Sequence, residues 1–268
     1  MEDLKNSSDT TEMRIIGYSV TRKVRATKQP KGGYINPTKF TAVPLTDTNI
    51  LNLNENIVPT LIGIVVDYLT RFMTGTSVEE SFRISMMGAN RIGENTNVQK
   101  LISEIKGLDN LSIINAVKMT GYDIIFREGP KWYKPVDEIN ADVPTIENVR
   151  IMVNRSLKFF EQYGPKVLNG FTFRGGYTRF VSTGDGDFTT ADTLWDFKVS
   201  KYSPEKNHTL QLLMYWRMGL HSIHPEFQNI KYLGIYNPRL NIVYRIATSE
   251  ISDEVIFEVE KNVIGYDM

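Results

Sequence analysis

The sequence predicts an α/β protein in which a mixed central sheet of about five strands is flanked by helices and carries a helical insertion. Three observations support this. Residues 57–163 contain a succession of apolar stretches with helical spacing, closed by Gly or Gly-Pro. The C-terminal part of the chain changes period and reads β-β-α-β-β-α, an order that needs helices packed on a sheet. At 268 residues, with a composition ordinary for a globular protein, the chain can bury a large core.

The elements follow in order. Residues 1–12 read as a disordered tail. Residues 15–24 alternate weakly and read as an edge strand, and 28–37 as a loop turning at Gly32-Gly33. Residues 59–73 read as a buried amphipathic helix closed by Gly75. Ser77 and Glu80 form a capping box for a helix reaching to about Ala89. A polar loop is expected over 88–97 and two short helices over 98–106 and 109–118. Residues 122–141 read as irregular, with a hairpin as one reading, and 144–163 as a long helix stopped by Gly164-Pro165. Residues 177–189 and 193–200 form a hairpin across Thr190-Ala191-Asp192. A helix over 207–220 is capped by Asn207. A second hairpin, 230–236 with 242–247, turns at Asn237-Pro238, and a helix over 252–263 closes the chain. The division that follows is a tail over 1–12, the N-terminal part of the core over 13–90, a mainly helical insertion over 91–165, and the rest of the core over 166–268.

Lysine plus arginine equals aspartate plus glutamate at 31 each, so net charge alone announces no polyanion binder. The distribution says more. Between Arg14 and Lys39 there are seven basic residues and no acidic one, whereas the last twenty residues hold six acidic residues against Lys261 alone. Local basic stretches in a neutral chain suit a groove for a polyanion. The absence of cysteine excludes disulfides, thiolate zinc sites, iron–sulfur clusters and cysteine nucleophiles. The first residues lack the apolar segment of a signal peptide, and the stretch at 57–73 is too short and polar to span a membrane. A cytoplasmic setting with no membrane partner is the expectation.

Two segments carry chemistry. Gly184-Asp185-Gly186-Asp187-Phe188 and Leu194-Trp195-Asp196-Phe197-Lys198 bring two carboxylates and an ammonium onto adjoining strands. Asp196 and Lys198, two apart, point to the same side. Leu194, Trp195, Phe197 and Val199 make their strand apolar on both faces, and a central strand needs a reason to hold Asp and Lys. Two carboxylates and an ammonium at one point suit a divalent metal held against a phosphate. Taken singly, Asp-Gly is also a frequent turn pair, and Asp196 with Lys198 also suits a solvent-facing edge. Within the first segment, Asp185 reads as a turn residue and Asp187 as the ligand. Further on, Gln211 and Tyr215, at i and i+4, share one helix face. Asp67, flanked by Val65, Val66 and Leu69, is a carboxylate in need of a partner.

This ordered series resembles the PD-(D/E)xK nuclease superfamily, in its RecB-like branch. There a Gly-x-x-Asp strand, an Asp-x-Lys strand and a Gln-x-x-x-Tyr helix follow in the order seen at Gly184/Asp187, Asp196/Lys198 and Gln211/Tyr215. The resemblance covers residues 177–220 and extends more faintly to Leu61-Ile62-Gly63-x-x-x-Asp67. It implies a restriction-endonuclease-like core and a Mg²⁺- or Mn²⁺-dependent deoxyribonuclease, an exonuclease among the activities of that branch. It further implies that Asp187 and Asp196 bind the metal together with the Phe197 carbonyl. Lys198 would orient or deprotonate the attacking water, and Gln211 and Tyr215 would orient Lys198 or contact the nucleic-acid backbone. Asp67 stands where the branch often has histidine and would be a further oxygen ligand. Gly186 replaces the proline of the superfamily name. Without cysteines the iron–sulfur subgroup is excluded, and without a Walker A motif any ATPase would be a separate chain.

The implied partner is DNA, single- or double-stranded. A protein partner reached through residues 91–165 and a homo-oligomer are left open. The alternative reading is a catalytically silent or partner-gated nuclease-fold protein that binds nucleic acid or another protein. A glycosyltransferase, suggested by Asp185-Gly-Asp187, ranks below both because no nucleotide-binding glycine loop precedes it. His208 beside the helix cap reads as exposed, and His221 with His224 as a surface pair rather than a zinc site. Arg22-Lys23-x-Arg25 is the best candidate for backbone contacts away from the metal.

Overall fold

The structure, a computed structural model, describes residues 17–267. The tail expected over 1–12 lies outside the described residues. β1 (Tyr18–Ser19) leads directly into α1 (Val20–Ala26). The expected edge strand over 15–24 is therefore helical from Val20 onward. Ser19 Oγ accepts from the Arg22 amide at 3.3 Å, and Val20 and Val24, one turn apart, are both buried.

After β2 (Thr41–Pro44) comes α2 (Pro59–Met73), at the expected bounds. Pro59 sits in its first turn, where a missing N–H is tolerated, and Ile62, Val65, Val66 and Leu69 form its buried side. Ser77 Oγ accepts from the Glu80 amide at 3.2 Å, but the single helix expected from there is two. α3 (Val78–Ser81) and α4 (Arg83–Asn90) break at Phe82, whose buried ring meets Tyr68 edge-on at 5.3 Å. α5 (Asn95–Ser103) and α6 (Asn110–Thr120) follow. Together α4 and α5 take up most of the polar loop expected over 88–97. In place of a hairpin, residues 122–141 hold α7 (Asp123–Glu128) and short 3-10 turns, because Tyr122 and Ile125 bury at helical spacing. α8 (Val143–Tyr163) ends at Gly164 as expected. Ile62 and Leu69 of α2, Ile113 and Val117 of α6 and Val149 and Val153 of α8 belong to one apolar core. The helices of 91–165 thus share their interior with α2.

The remaining elements are β3 (Leu168–Thr172), β4 (Val181–Thr183), β5 (Asp185–Thr189), β6 (Thr193–Phe197), α9 (Lys206–Leu220), β7 (Tyr232–Asn237), β8 (Ile242–Ala247) and α10 (Asp253–Glu258), the last continued by a π-helical turn at Val259–Ile264. Six strands form one sheet in the order β2-β8-β7-β6-β5-β3, and β1 pairs with β4 apart from it. Only β6 and β7 run parallel within the large sheet. The fold is α/β with a mixed sheet flanked by helices, as expected. The sheet has six strands rather than about five because two edges were not anticipated. β2 is exposed along its length and β3 buries only Phe171 fully, so neither shows the alternation of a half-buried strand. The cap of α9 also differs from expectation. Residue 205 caps it, and Asn207 instead accepts from Gln29 Nε2 at 2.7 Å.

α9 is the crossover that parallel β6 and β7 require, and it covers one sheet face through Leu210, Leu213 and Met214 against Leu194, Leu233 and Ile235. α8 covers the other face. Phe159 stacks on Tyr236 at 4.2 Å and meets Trp195 edge-on at 4.9 Å. Trp195 lies across Gly234, where a Cβ would come within 2.4 Å of the indole. β6 is therefore a central strand buried on both faces. Arg155 of α8 ties the chain before α2 to the sheet, donating to Asp47, to the Asn49 carbonyl and to the carbonyls of Pro238 and Arg239 in the β7–β8 turn. Glu55 adds an ion pair to Arg239 at 2.9 Å. Among the described residues no helix is long and apolar enough to cross a membrane.

Candidate active site

β5 and β6 pair antiparallel with Phe188 opposite Trp195. Continuing that register sets Asp187 opposite Asp196, so the two carboxylates leave the sheet on the same face. It is the opposite face from Phe188 and Trp195, whose rings pack with Phe159 of α8. Asp185 opens β5, paired with Thr172, and is a strand residue rather than the expected turn residue. Just past β6, Lys198 keeps the pairing with β7 through its amide to the Tyr236 carbonyl at 3.0 Å.

The side chains then meet. Lys198 Nζ donates to Asp196 Oδ1 at 3.0 Å. Asp196 is 2 % exposed, and among the described residues its buried Oδ2 has no hydrogen-bond partner. Asp187 Oδ2 accepts from the Phe197 amide at 2.7 Å, so Phe197 reaches Asp187 through its N–H. Burial, with the charges of Asp196 and Asp67 close by, pushes the Asp187 carboxyl up to about 7, although Lys198 and Arg71 pull the other way. Burial lowers the Lys198 ammonium, but the carboxylates of Asp196 and Asp187 outweigh it and the net shift is upward. The structure thus brings Asp187, Asp196 and Lys198 together.

The other expected residues lie around this centre. Tyr215, buried and stacked on Phe173 at 4.9 Å, accepts from Gln211 Nε2 at 2.7 Å. Burial, then the charges of Asp196 and Asp187, hold its hydroxyl far up in pKa. Among the described residues, neither Gln211 nor Tyr215 hydrogen-bonds Lys198. Asp67 is turned to Arg71, which grips it with Nε at 3.0 Å and Nη2 at 2.9 Å. His208, expected to be exposed, is half-buried and lies one turn before Gln211 on the same face. Its Nδ1 accepts from the Glu205 amide at 3.0 Å, and burial together with the nearby Lys198 charge lowers its pKa.

Two cations at the site carry no motif. Arg71 and Lys166 line a cavity of ≈ 10 Å³ together with Asp67, Thr70, Asn169 and Asp187. Lys166, in the turn between α8 and β3, donates to Thr74 Oγ1 at 3.0 Å and lies over Phe160 at 4.4 Å. Burial pulls its ammonium down to about 8, against the attraction of Asp67. For Arg71, the only signal in the sequence is its place one turn after Asp67; for Lys166 there is none.

Among the described residues no three carboxylate, imidazole or thiolate groups converge into a closed metal cage. Two carboxylates do meet, and a buried carboxylate oxygen without a donor is the feature a hard cation would complete. The residues present fit a divalent ion held by Asp187 and Asp196 with waters or substrate filling its open positions. No protein-family model matches the chain, and no match is found among curated proteins or solved structures.

Proposed function

We propose that this protein is a Mg²⁺- or Mn²⁺-dependent deoxyribonuclease on a restriction-endonuclease-like core, hydrolysing phosphodiester bonds in DNA processing, repair or conflict with mobile elements. The observation that carries this reading is the convergence of Asp187, Asp196 and Lys198 on adjacent central strands, with Asp196 Oδ2 buried and unpartnered. Such a group has few structural uses, since an apolar pair would cost less to bury.

Asp187 and Asp196 would hold the cation, whose Lewis acidity would polarise a phosphoryl oxygen and acidify a water. The Phe197 amide fixes one oxygen of Asp187 and Lys198 fixes one of Asp196, so each carboxylate keeps its other oxygen for a ligand. Lys198, ion-paired but with 27 % of its side chain exposed, is placed to orient the attacking water and to offset charge on the phosphate. Water adds to phosphorus, the bond to the leaving oxygen breaks, and that oxygen takes up a proton. The Gln211–Tyr215 pair lines the α9 side, and Arg71 and Lys166 add positive charge on the α2 side.

On the α2 side, the cavity beside Asp187 holds ≈ 10 Å³, about the space of one water, and neither Asp196 nor Lys198 lines it. In a gated form of this activity, residues 91–165, packed against α2, are the candidate surface for a partner.

The test is digestion of linear, nicked and single-stranded DNA, and of RNA, in Mg²⁺ or Mn²⁺, beside Asp196→Ala and Lys198→Ala. DNA cleavage by the wild type that both variants lose while remaining folded is the expected result. Tight DNA or protein binding without cleavage under any condition would replace this reading with that of a silent nuclease-fold binder.

A further inference from the structure

Arg71 stands between two cavities. On one side is the small space beside Asp187; on the other is a cavity of ≈ 110 Å³ lined by Arg71, Thr76, Ser81, Arg83, Asn169 and Gly170. Asn169 also lines both. The second cavity is several times the roughly 10–15 Å³ that one water needs, which leaves room for a tetrahedral oxyanion.

Its walls are rich in donors. Two arms of the Arg71 fork are held by Asp67, and the third, Nη1, lies 3.4 Å from the point where a Cβ on Gly170 would stand. Gly170, at φ +58, thus keeps the space beside that arm open. Among the described residues Nη1 has no hydrogen-bond partner. Ser81 is 3 % exposed, and its hydroxyl is buried with no partner either. Among the described residues Arg83 pairs only with Glu80, at 3.2 Å, and both side chains are more than half exposed. Glu80 borders the cavity but is free to turn to water, and such a surface pair is weak. Tyr68, which also borders it, commits its hydroxyl to Asp123 at 2.6 Å. A forked guanidinium with a free arm, a second arginine and an unsatisfied buried hydroxyl are the groups that bind phosphoryl oxygens.

The geometry points to this cavity as a phosphate-binding pocket that takes a second phosphate of the DNA strand while the scissile phosphate lies at Asp187 and Asp196. The substrate in that statement rests on the nuclease reading; the chemistry of the pocket does not. A phosphate held there sets the register of the strand, because Arg71 links it directly to Asp67 and the candidate centre. Its source is either a terminal monoester or a backbone diester.

The test has a binding arm and a kinetic arm, both on the full chain with Ser81→Ala and Arg83→Gln beside the wild type. Among the described residues the Ser81 hydroxyl makes no bond, so its loss leaves the phosphate-free Tm unchanged or raises it, and Arg83→Gln at the surface is close to neutral. In metal-free buffer, inorganic phosphate raises the wild-type Tm relative to chloride at equal ionic strength. Each variant needs about tenfold more phosphate for the same rise, the weight of one charge-assisted hydrogen bond. During cleavage both variants raise KM by a similar factor and keep kcat. Substrates with a 5′-phosphate, a 3′-phosphate or neither identify the source: an effect confined to one phosphorylated end assigns a terminal monoester, and an equal effect on all assigns a backbone diester. An equal phosphate response in all three proteins, or none in the wild type, overturns the pocket. A phosphate response without any cleavage overturns the nuclease reading and leaves the pocket standing. Cleavage with KM unchanged in both variants does the reverse.

Discussion

Lys198 Nζ donates to one oxygen of Asp196, at 3.0 Å, and among the described residues the other is buried with no donor. A half-satisfied carboxylate at the centre of a sheet is costly, and it makes the pair measurable.

Replacing Lys198 by Met strips Asp196 of its one counter-charge. At pH 8 in metal-free buffer Lys198→Met costs about 3 kcal/mol, the low end for a broken buried pair because Lys198 is partly exposed. Adding Asp196→Asn to it recovers most of that loss. Urea unfolding of the two single variants and the double variant checks this, and strictly additive losses would refute the coupling.

A cation that binds the folded site stabilises it by mass action. Saturating Mn²⁺ or Mg²⁺ at a hundredfold excess over Kd raises stability by about 2.7 kcal/mol. Asp187→Asn and Asp196→Asn each remove most of that rise, which differential scanning calorimetry with and without the ion would read. Equal gains in the wild type and both variants would place the ion elsewhere.

Asp187 inverts the usual acid behaviour of a carboxylate. Its folded pKa is about 7, above its ordinary value, so between the two the folded state binds more protons than the unfolded one. Its contribution therefore favours folding at low pH and is lost as pH rises from about 4 to 7. In metal-free buffer Asp187→Asn removes this fall, and at pH 8 it is more stable than the wild type. A variant whose stability–pH curve from 4 to 8 parallels the wild type would argue against the strained pair.

Phe159 ties α8 to the sheet through Tyr236 and Trp195. Phe159→Ala costs about 3–5 kcal/mol by leaving a cavity against the back of β6. Because β6 carries Asp196, the same variant weakens Mn²⁺-induced stabilisation, which isothermal titration of the folded protein would show.

Much of the chemistry was legible in the chain. β5, β6 and α9 are consecutive, so the spacing of Asp187, Asp196, Lys198, Gln211 and Tyr215 could be read from local period and short turns. The helix at Pro59–Met73 was equally plain, its apolar stripe and terminal glycine being properties of one segment. Elements whose stability comes from distant partners were not legible. β2 pairs with β8 about two hundred residues later, and β3 is an edge that exists only beside β5. α1 read as a strand because seven residues are too few to separate the two periods.

That Asp196 and Lys198 leave their strand on the same side is written in the chain, because side-chain direction follows residue parity within a strand. What surrounds them depends on how distant segments pack. Register set Asp187 against Asp196, α2 delivered Arg71 and turned Asp67 to it, and the turn after α8 delivered Lys166. Asp67 and Arg71 meet Lys166 and Asp187 across about a hundred residues of chain, and no local pattern records that meeting. It comes from burying α2, α8 and the sheet together, which orders the backbone first and brings the charges along with it.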